Sequence, residues 1–275
     1  MPLPRTRVSR GQFTRPEGTF LAERGGGADA PDRGIPRAAT GISGLDAILN
    51  GGVPKGNVVL LSGACGTGKT TIGLEILCNG ARQGESGLFF TTTEPVARIV
   101  DNAAGYSFFE KGHVGKKLHF VDALEVFEEL NLKPELESKD IDTFLRWLGR
   151  TIKDRGASRV VIDSLTGICY RIPKRELIRE FTYRLGRTLS DLGCTTIATS
   201  ETQPGETKYS SFQVEEAVAD GIILLGNHDS RGYLLRTLQV VKMRGTVHSR
   251  ARYVVDLTSH GLIMVPLLKA SMREG

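Results

Sequence analysis

A chain of 275 residues that is 40% hydrophobic and 24% charged has ordinary globular composition and enough apolar material for one large core. Its apolar runs stop short of the roughly 20 residues needed to span a bilayer, and Cys65, Cys78, Cys169 and Cys194 are too scattered for a zinc site or a disulfide framework. The chain is therefore expected to stay off membranes, in a reduced, cytoplasmic compartment. The formal charge of +5 is weak support for a nucleic-acid partner, because +3 of it falls within residues 1–37, where seven arginines stand against four acids.

In chain order, residues 1–37 form a basic extension rich in Gly and Arg. The Gly25-Gly26-Gly27 run and the lack of apolar periodicity read as disorder, with an anion-binding arm as the alternative. Residues 38–275 read as one α/β domain. Its first clear strand, 57–62, leads into Gly63-Ala64-Cys65-Gly66-Thr67-Gly68-Lys69-Thr70, and an apolar helix begins near Ile72. This matches G-x-x-x-x-G-K-[S/T] at every fixed position and sits between strand and helix, as a phosphate-binding loop must. Gly63, Gly66 and Gly68 let backbone N–H groups turn inward, and the helix N-terminus adds positive potential. Lys69 would neutralise the β- and γ-phosphate oxygens of ATP, and the Thr70 hydroxyl would ligate Mg²⁺. Cys65, Thr67 and Thr71 complete the candidate ATP-binding stretch.

Further strands are predicted over 87–92, 117–122, 158–163 and 194–200. Between them, Ile141, Phe144, Leu145, Leu148 and Ile152 share one face of a helix over 140–155, and Ile178, Phe181, Leu185, Leu189 and Leu192 share one over 175–193. This alternation predicts a mainly parallel sheet flanked by helices. The strand 158–163 ends at Asp163, a carboxylate placed to hold Mg²⁺ through its water shell; a helix N-cap ahead of Leu165 is the alternative. Beyond residue 220 the runs 220–226, 233–243, 252–257 and 261–265 are joined by short turns such as His260-Gly261, and predict antiparallel strands.

Three ordered segments resemble the KaiC family of RecA-like ATPases: Thr40-Gly41-Ile42-Ser43-Gly44-Leu45-Asp46 with Gly51 to Gly56, Arg159 to Thr166, and Lys242-Met243-Arg244-Gly245-Thr246-Val247-His248. The likeness runs from Thr40 to Leu267. It implies a ring, usually a hexamer, with ATP between subunits, where Lys69, Thr70 and Asp163 act in cis. Lys242, Arg244 and His248 would reach the nucleotide of the adjacent subunit, Arg244 as a catalytic cation. A basic edge strand is the plain alternative for that segment. A regulatory protein partner is expected, and nucleic acid is not.

Two positions depart from the family pattern. The family's paired glutamates after the second strand correspond to Thr93 and Glu94, which leaves Glu94 as the candidate general base and implies slow hydrolysis. Capping of the following helix is the alternative for Glu94. In the circadian-clock protein for which the family is named, the C-terminal domain phosphorylates itself on a serine–threonine pair that corresponds to Glu215 and Glu216, so autokinase activity is not expected. The chain is nearest in pattern to that protein's N-terminal, ATPase-only domain. Absent that role, the two acids read as a solvated helix face. Thr199-Ser200-Glu201 falls where RecA-like folds sense the γ-phosphate, ahead of a channel-facing loop from Gln203 to Ser211 whose one lysine, Lys208, is too little for a nucleic-acid groove.

Overall fold

A computed structural model describes residues 34–203, 208–230 and 232–266. Nearly all of the expected basic extension, and residues 204–207 of the loop after Gln203, lie outside the described residues.

A short ladder of β1 (Arg37–Ala38) and β2 (Val53–Pro54) flanks α1 (Ser43–Ile48) and leads into the sheet. The elements that follow are β3 (Val58–Gly63), α2 (Lys69–Arg82), β4 (Ser86–Thr91), α3 (Val96–Ala103), β5 (Leu118–Asp122), α4 (Ala123–Glu129) and α5 (Ser138–Asp154). After them come β6 (Ala157–Asp163), α6 (Leu165–Cys169), α7 (Arg175–Asp191), β7 (Thr195–Glu201) and α8 (Glu215–Val218). The chain closes with β8 (Gly221–Ser230), β9 (Tyr233–Met243), β10 (Arg252–Thr258) and β11 (Gly261–Pro266). Nine strands make one sheet in the order β11-β10-β9-β8-β3-β7-β6-β4-β5. It is parallel from β8 to β5 and antiparallel from β8 to β11, the mixed α/β arrangement the sequence predicts.

Both faces of the sheet are covered, which is why β3 is buried at every residue. Alternation sends Val59 and Leu61 into a core with Ile72, Leu77 and Met264, and Val58 and Leu60 into a second core beneath α5 and α7. The second core is built on aromatics: the Phe144 ring meets Phe90, Phe127 and Phe181 at 5.5–6.3 Å between centroids. Truncating Phe144 to Ala would cost about 3–5 kcal/mol. α5 is set at its start by a reciprocal cap between Glu137 and Asp140.

β9 carries a bulge. Lys242 pairs with Ile222, but the next pair is Val240 with Ile223, so Val241 is an extra residue. Leu238, Val240 and Met243 all enter the α2-side core, while Val241 packs against the other. The described sheet ends at β11 and β5, so the reading of the Lys242 segment as a basic edge strand is corrected: β9 is internal, hydrogen-bonded to β8 and β10. Among the described residues no helix is long and apolar enough to cross a membrane.

Candidate active site

The strand order reverses beside β3: the connection through α2 carries the chain past β7 and β6 to β4. A parallel sheet gathers ligand-binding loops at the carboxyl ends of strands around such a point. Here Gly63 is level with Glu201, and Thr91 with Asp163, so the ends of β3, β7, β6 and β4 form one rim. The glycine-rich loop spans Gly63 to Gly68 on that rim, and α2 starts at Lys69.

Positive φ angles of 77° at Gly66 and 97° at Gly68 shape the loop. A Cβ on Gly68 would stand 2.4 Å from Leu257 Cδ1, whereas Gly66 faces open space. Cys65 is exposed, Thr67 is buried and donates to the Ala64 carbonyl at 2.8 Å, and Thr71 is half-buried in the first turn of α2. Lys69 is 9% exposed and curls back onto the Gly63 and Ala64 carbonyls, at 2.7 and 3.0 Å. Burial lowers its pKa, against which the nearby Glu201 and Asp163 carboxylates act to raise it.

The Thr70 hydroxyl donates to Asp163 Oδ2 at 2.7 Å, and Thr199 donates to Oδ1 at 2.5 Å. Asp163, buried on the rim, is thus satisfied by two hydroxyls. The cap of α6 is Ser164, which accepts from the Gly167 N–H at 3.0 Å, so Asp163 is not consumed as an N-cap. A hydroxyl and a carboxylate side by side are hard oxygen donors suited to Mg²⁺, which takes one or two protein groups and fills its octahedron with phosphate oxygens and water. The residues present fit that ion.

Thr93 is exposed and Glu94 half-exposed just beyond the end of β4. Glu94 pairs with Arg98 at 3.7 Å, while its backbone N–H and carbonyl meet the Thr91 hydroxyl. The cap of α3 is Pro95, with no side-chain hydrogen bond, so the capping alternative for Glu94 is corrected.

Lys242, Arg244 and His248 are not brought to this rim. Met243 pairs with Gly221, which is level with Val59 at the start of β3, about 13 Å along the strands from the glycine loop. Lys242 Nζ donates to the Ala219 and Glu216 carbonyls at 2.6 and 3.3 Å, and burial lowers its pKa. Arg244 pairs with Asp220 at 3.2 Å, and His248 Nδ1 lies 3.2 Å from the Ser249 carbonyl.

Two features escape the sequence reading. Arg236, exposed on β9, donates to the Gly66 carbonyl at 3.2 Å, a contact that only the β8–β9 register creates. Glu215, read as part of a solvated face, is 1% exposed, and that reading is corrected: its carboxylate receives hydrogen bonds from the loop before it. Glu216 alone is half-exposed.

A glycine loop opening a helix, a buried lysine and a Thr–Asp pair at the switch point of a parallel sheet define a P-loop ATPase domain. The family model described as "ATPase: KaiC" matches residues 38–269, and the chain belongs to that family. It is 38% identical over 235 residues to a UPF0273 protein of Pyrococcus horikoshii, covering 84% of this chain and 94% of that one. A circadian clock oscillator protein KaiC from Parathermosynechococcus lividus is 31% identical over 237 residues, 86% of this chain but 43% of that longer protein. Among solved structures, a KaiC-like protein of Pyrococcus horikoshii OT3 matches at a TM-score of 0.73 and 34% identity, over 84% of this chain and all of that one.

Proposed function

We propose that this chain is a Mg²⁺-dependent ATPase that works as a ring, most simply a hexamer, with ATP at subunit interfaces and its hydrolysis state read by a partner protein. The observation that carries this is the separation of the two halves of the site. Lys69, Thr70 and Asp163 meet on one rim, while Lys242 and Arg244, with His248 just beyond them in the chain, lie toward the opposite ends of the strands. A cationic segment that far from its own phosphate loop serves a nucleotide if a neighbour presents one, and head-to-tail contacts of that kind close into rings.

Lys69 and the loop N–H groups bind the β- and γ-phosphates, while Thr70 and Asp163 hold the metal. Bound Mg²⁺ supplies charge neutralisation to the phosphates and orients them. Glu94 accepts the proton of the attacking water, and the neighbour's Arg244 stabilises the charge that builds up as the γ-phosphoryl group leaves. Glu215 and Glu216 offer no hydroxyl for autophosphorylation, and a cytoplasmic setting goes with the free cysteines. The test is phosphate release with light scattering, each with and without ATP. ATP-dependent assembly with turnover that Lys69→Ala removes is the expected outcome; a wild-type chain with neither sinks the proposal.

A second reading, an ATP-gated scaffold that barely hydrolyses, is favoured by the threonine at position 93 and by the pairing of Glu94 with Arg98. It predicts assembly on ATP with phosphate release at background.

A further inference from the structure

The buried acid Glu215 stands at the start of α8, between the two halves of the site. Its Oε2 accepts from Ser210 Oγ at 2.7 Å and the Val214 N–H at 3.1 Å, and its Oε1 faces Ser200 Oγ at 3.5 Å. Ser200 is the link to the nucleotide rim. It lies between Thr199, which donates to Asp163, and Glu201, whose charge acts on Lys69. Ser200 Oγ also meets Thr166 Oγ1 at 3.2 Å, and Thr166 Oγ1 accepts the Glu201 N–H at 3.0 Å. The segment before α8 is stitched to the same rim, Ser62 donating to the Tyr209 carbonyl and Ser211 Oγ to the Glu201 carbonyl.

α8 also holds the distant half. The carbonyls of Glu216 and Ala219 take Lys242 Nζ, and Asp220, just after the helix, takes Arg244 and the Val58 N–H. A carboxylate is costly to bury unless its oxygens are satisfied, and a satisfied one fixes the groups that satisfy it. α8 is four residues long and too short to be stable alone, so what ties down its first residue also sets where its last carbonyls lie.

We infer that Glu215 is a positioning residue: by fixing α8 against the end of β7, it sets the placement of Lys242 and Arg244 for the nucleotide held by a neighbouring copy of this chain. The inference rests on the ring reading above. Its effect belongs to the neighbour's phosphate loop and not to its own, which separates it from a merely structural role.

The test is subunit mixing. Glu215→Ala alone should lower kcat about tenfold with KM for ATP within about twofold, because Lys69, Thr70 and Asp163 are untouched. Glu215→Gln, which still accepts from Ser210 and Val214, should stay within about twofold of wild type. Glu94→Gln subunits keep the phosphate loop that ATP-dependent assembly needs and lack the base, and their Lys242–His248 segment is intact. Mixed one to one with Glu215→Ala, they should give turnover roughly fivefold above the mean of the two parents, because random rings pair intact bases with intact segments. A mixture no better than that mean, or Glu215→Ala with unchanged kcat, overturns the inference. Glu94→Gln mixed with Arg244→Ala is the control. A gain there with none for Glu215→Ala removes Glu215 alone, and no gain in either removes the ring reading and the inference with it. If circular dichroism finds Glu215→Ala unfolded, Ser210→Ala, which deletes one hydrogen bond to the carboxylate, is mixed in its place.

Discussion

The two edges formed by the ends of the strands, the carboxyl rim and the one opposite, are finished in different ways. At the carboxyl rim of β3, β7 and β6, buried and half-buried side chains are bonded to one another or to the loop itself: Thr70 and Thr199 to Asp163, and Lys69 to Gly63 and Ala64. At the opposite edge, Lys242 is held by main-chain carbonyls and Arg244, with 59% of its side chain exposed, by Asp220. The first edge draws its candidate phosphate-binding groups from one chain. The second is cationic and aimed away from that chain's own phosphate loop, so its chemistry depends on what is placed against it.

Breaking the first edge should have the largest effect. Lys69→Ala removes the cation at the β- and γ-phosphates and should bring phosphate release to background, with loss of ATP binding measured by equilibrium titration. At the second edge, Arg244→Ala should lower kcat by about 10³ while equilibrium ATP binding is retained, since an arginine supplied from a neighbour acts on transition-state charge. Equal losses of binding in the two variants would erase the distinction between the edges. Thr93→Glu sharpens the contrast from the other direction: a second carboxylate beyond β4 should raise turnover at least tenfold if a missing base limits the rate. Unchanged turnover would show that Thr93 does not limit the rate.

The smallest expected effect on turnover is at Glu75, on the loop's own helix, where burial pushes the carboxyl up to about 7 from 4.5 and the Leu262 N–H donates to it at 2.9 Å. A raised folded-state pKa means stability that is complete below about 4.5 and lost as pH rises through about 7. The melting temperature should therefore fall from pH 5 to pH 8. Glu75→Gln should flatten that slope, worth about 3 kcal/mol at its limit, and leave kcat within about twofold. A wild-type melting curve indifferent to pH over that range would contradict it.

The cis edge was legible in the sequence because its parts are local. The glycine loop is contiguous, and Asp163 ends an apolar run whose strand identity follows from composition. The strand and helix runs were legible too: the predicted 233–243 strand is β9, and the 175–193 helix is α7 to within two residues. Illegible were the facts that depend on which strand lies beside which. Arg236 reaches Gly66 across 170 residues, and Glu215 is buried because a loop from β7 folds over it. Neither shows in spacing, since a lone glutamate pair has the same pattern in solvent or under a loop. The short helices α1 and α4 carry too few turns to display a period.

The extra residue at Val241 makes β9 two half-strands of opposite parity. In unbroken alternation Lys242 would follow Leu238 and Val240 into the apolar layer above α2, and Met243 would turn outward. The inserted step exchanges them, so that methionine fills the layer and the ammonium reaches the carbonyls of α8. Deleting Val241 would close the bulge into regular alternation and leave Lys242 and Met243 on the faces they have, whereas restoring unbroken alternation with all its residues in place would drive a charge into the interior. This strand should therefore tolerate the loss of Val241 better than the loss of Gln239, which would put the parity of Leu238 and Val240 at odds.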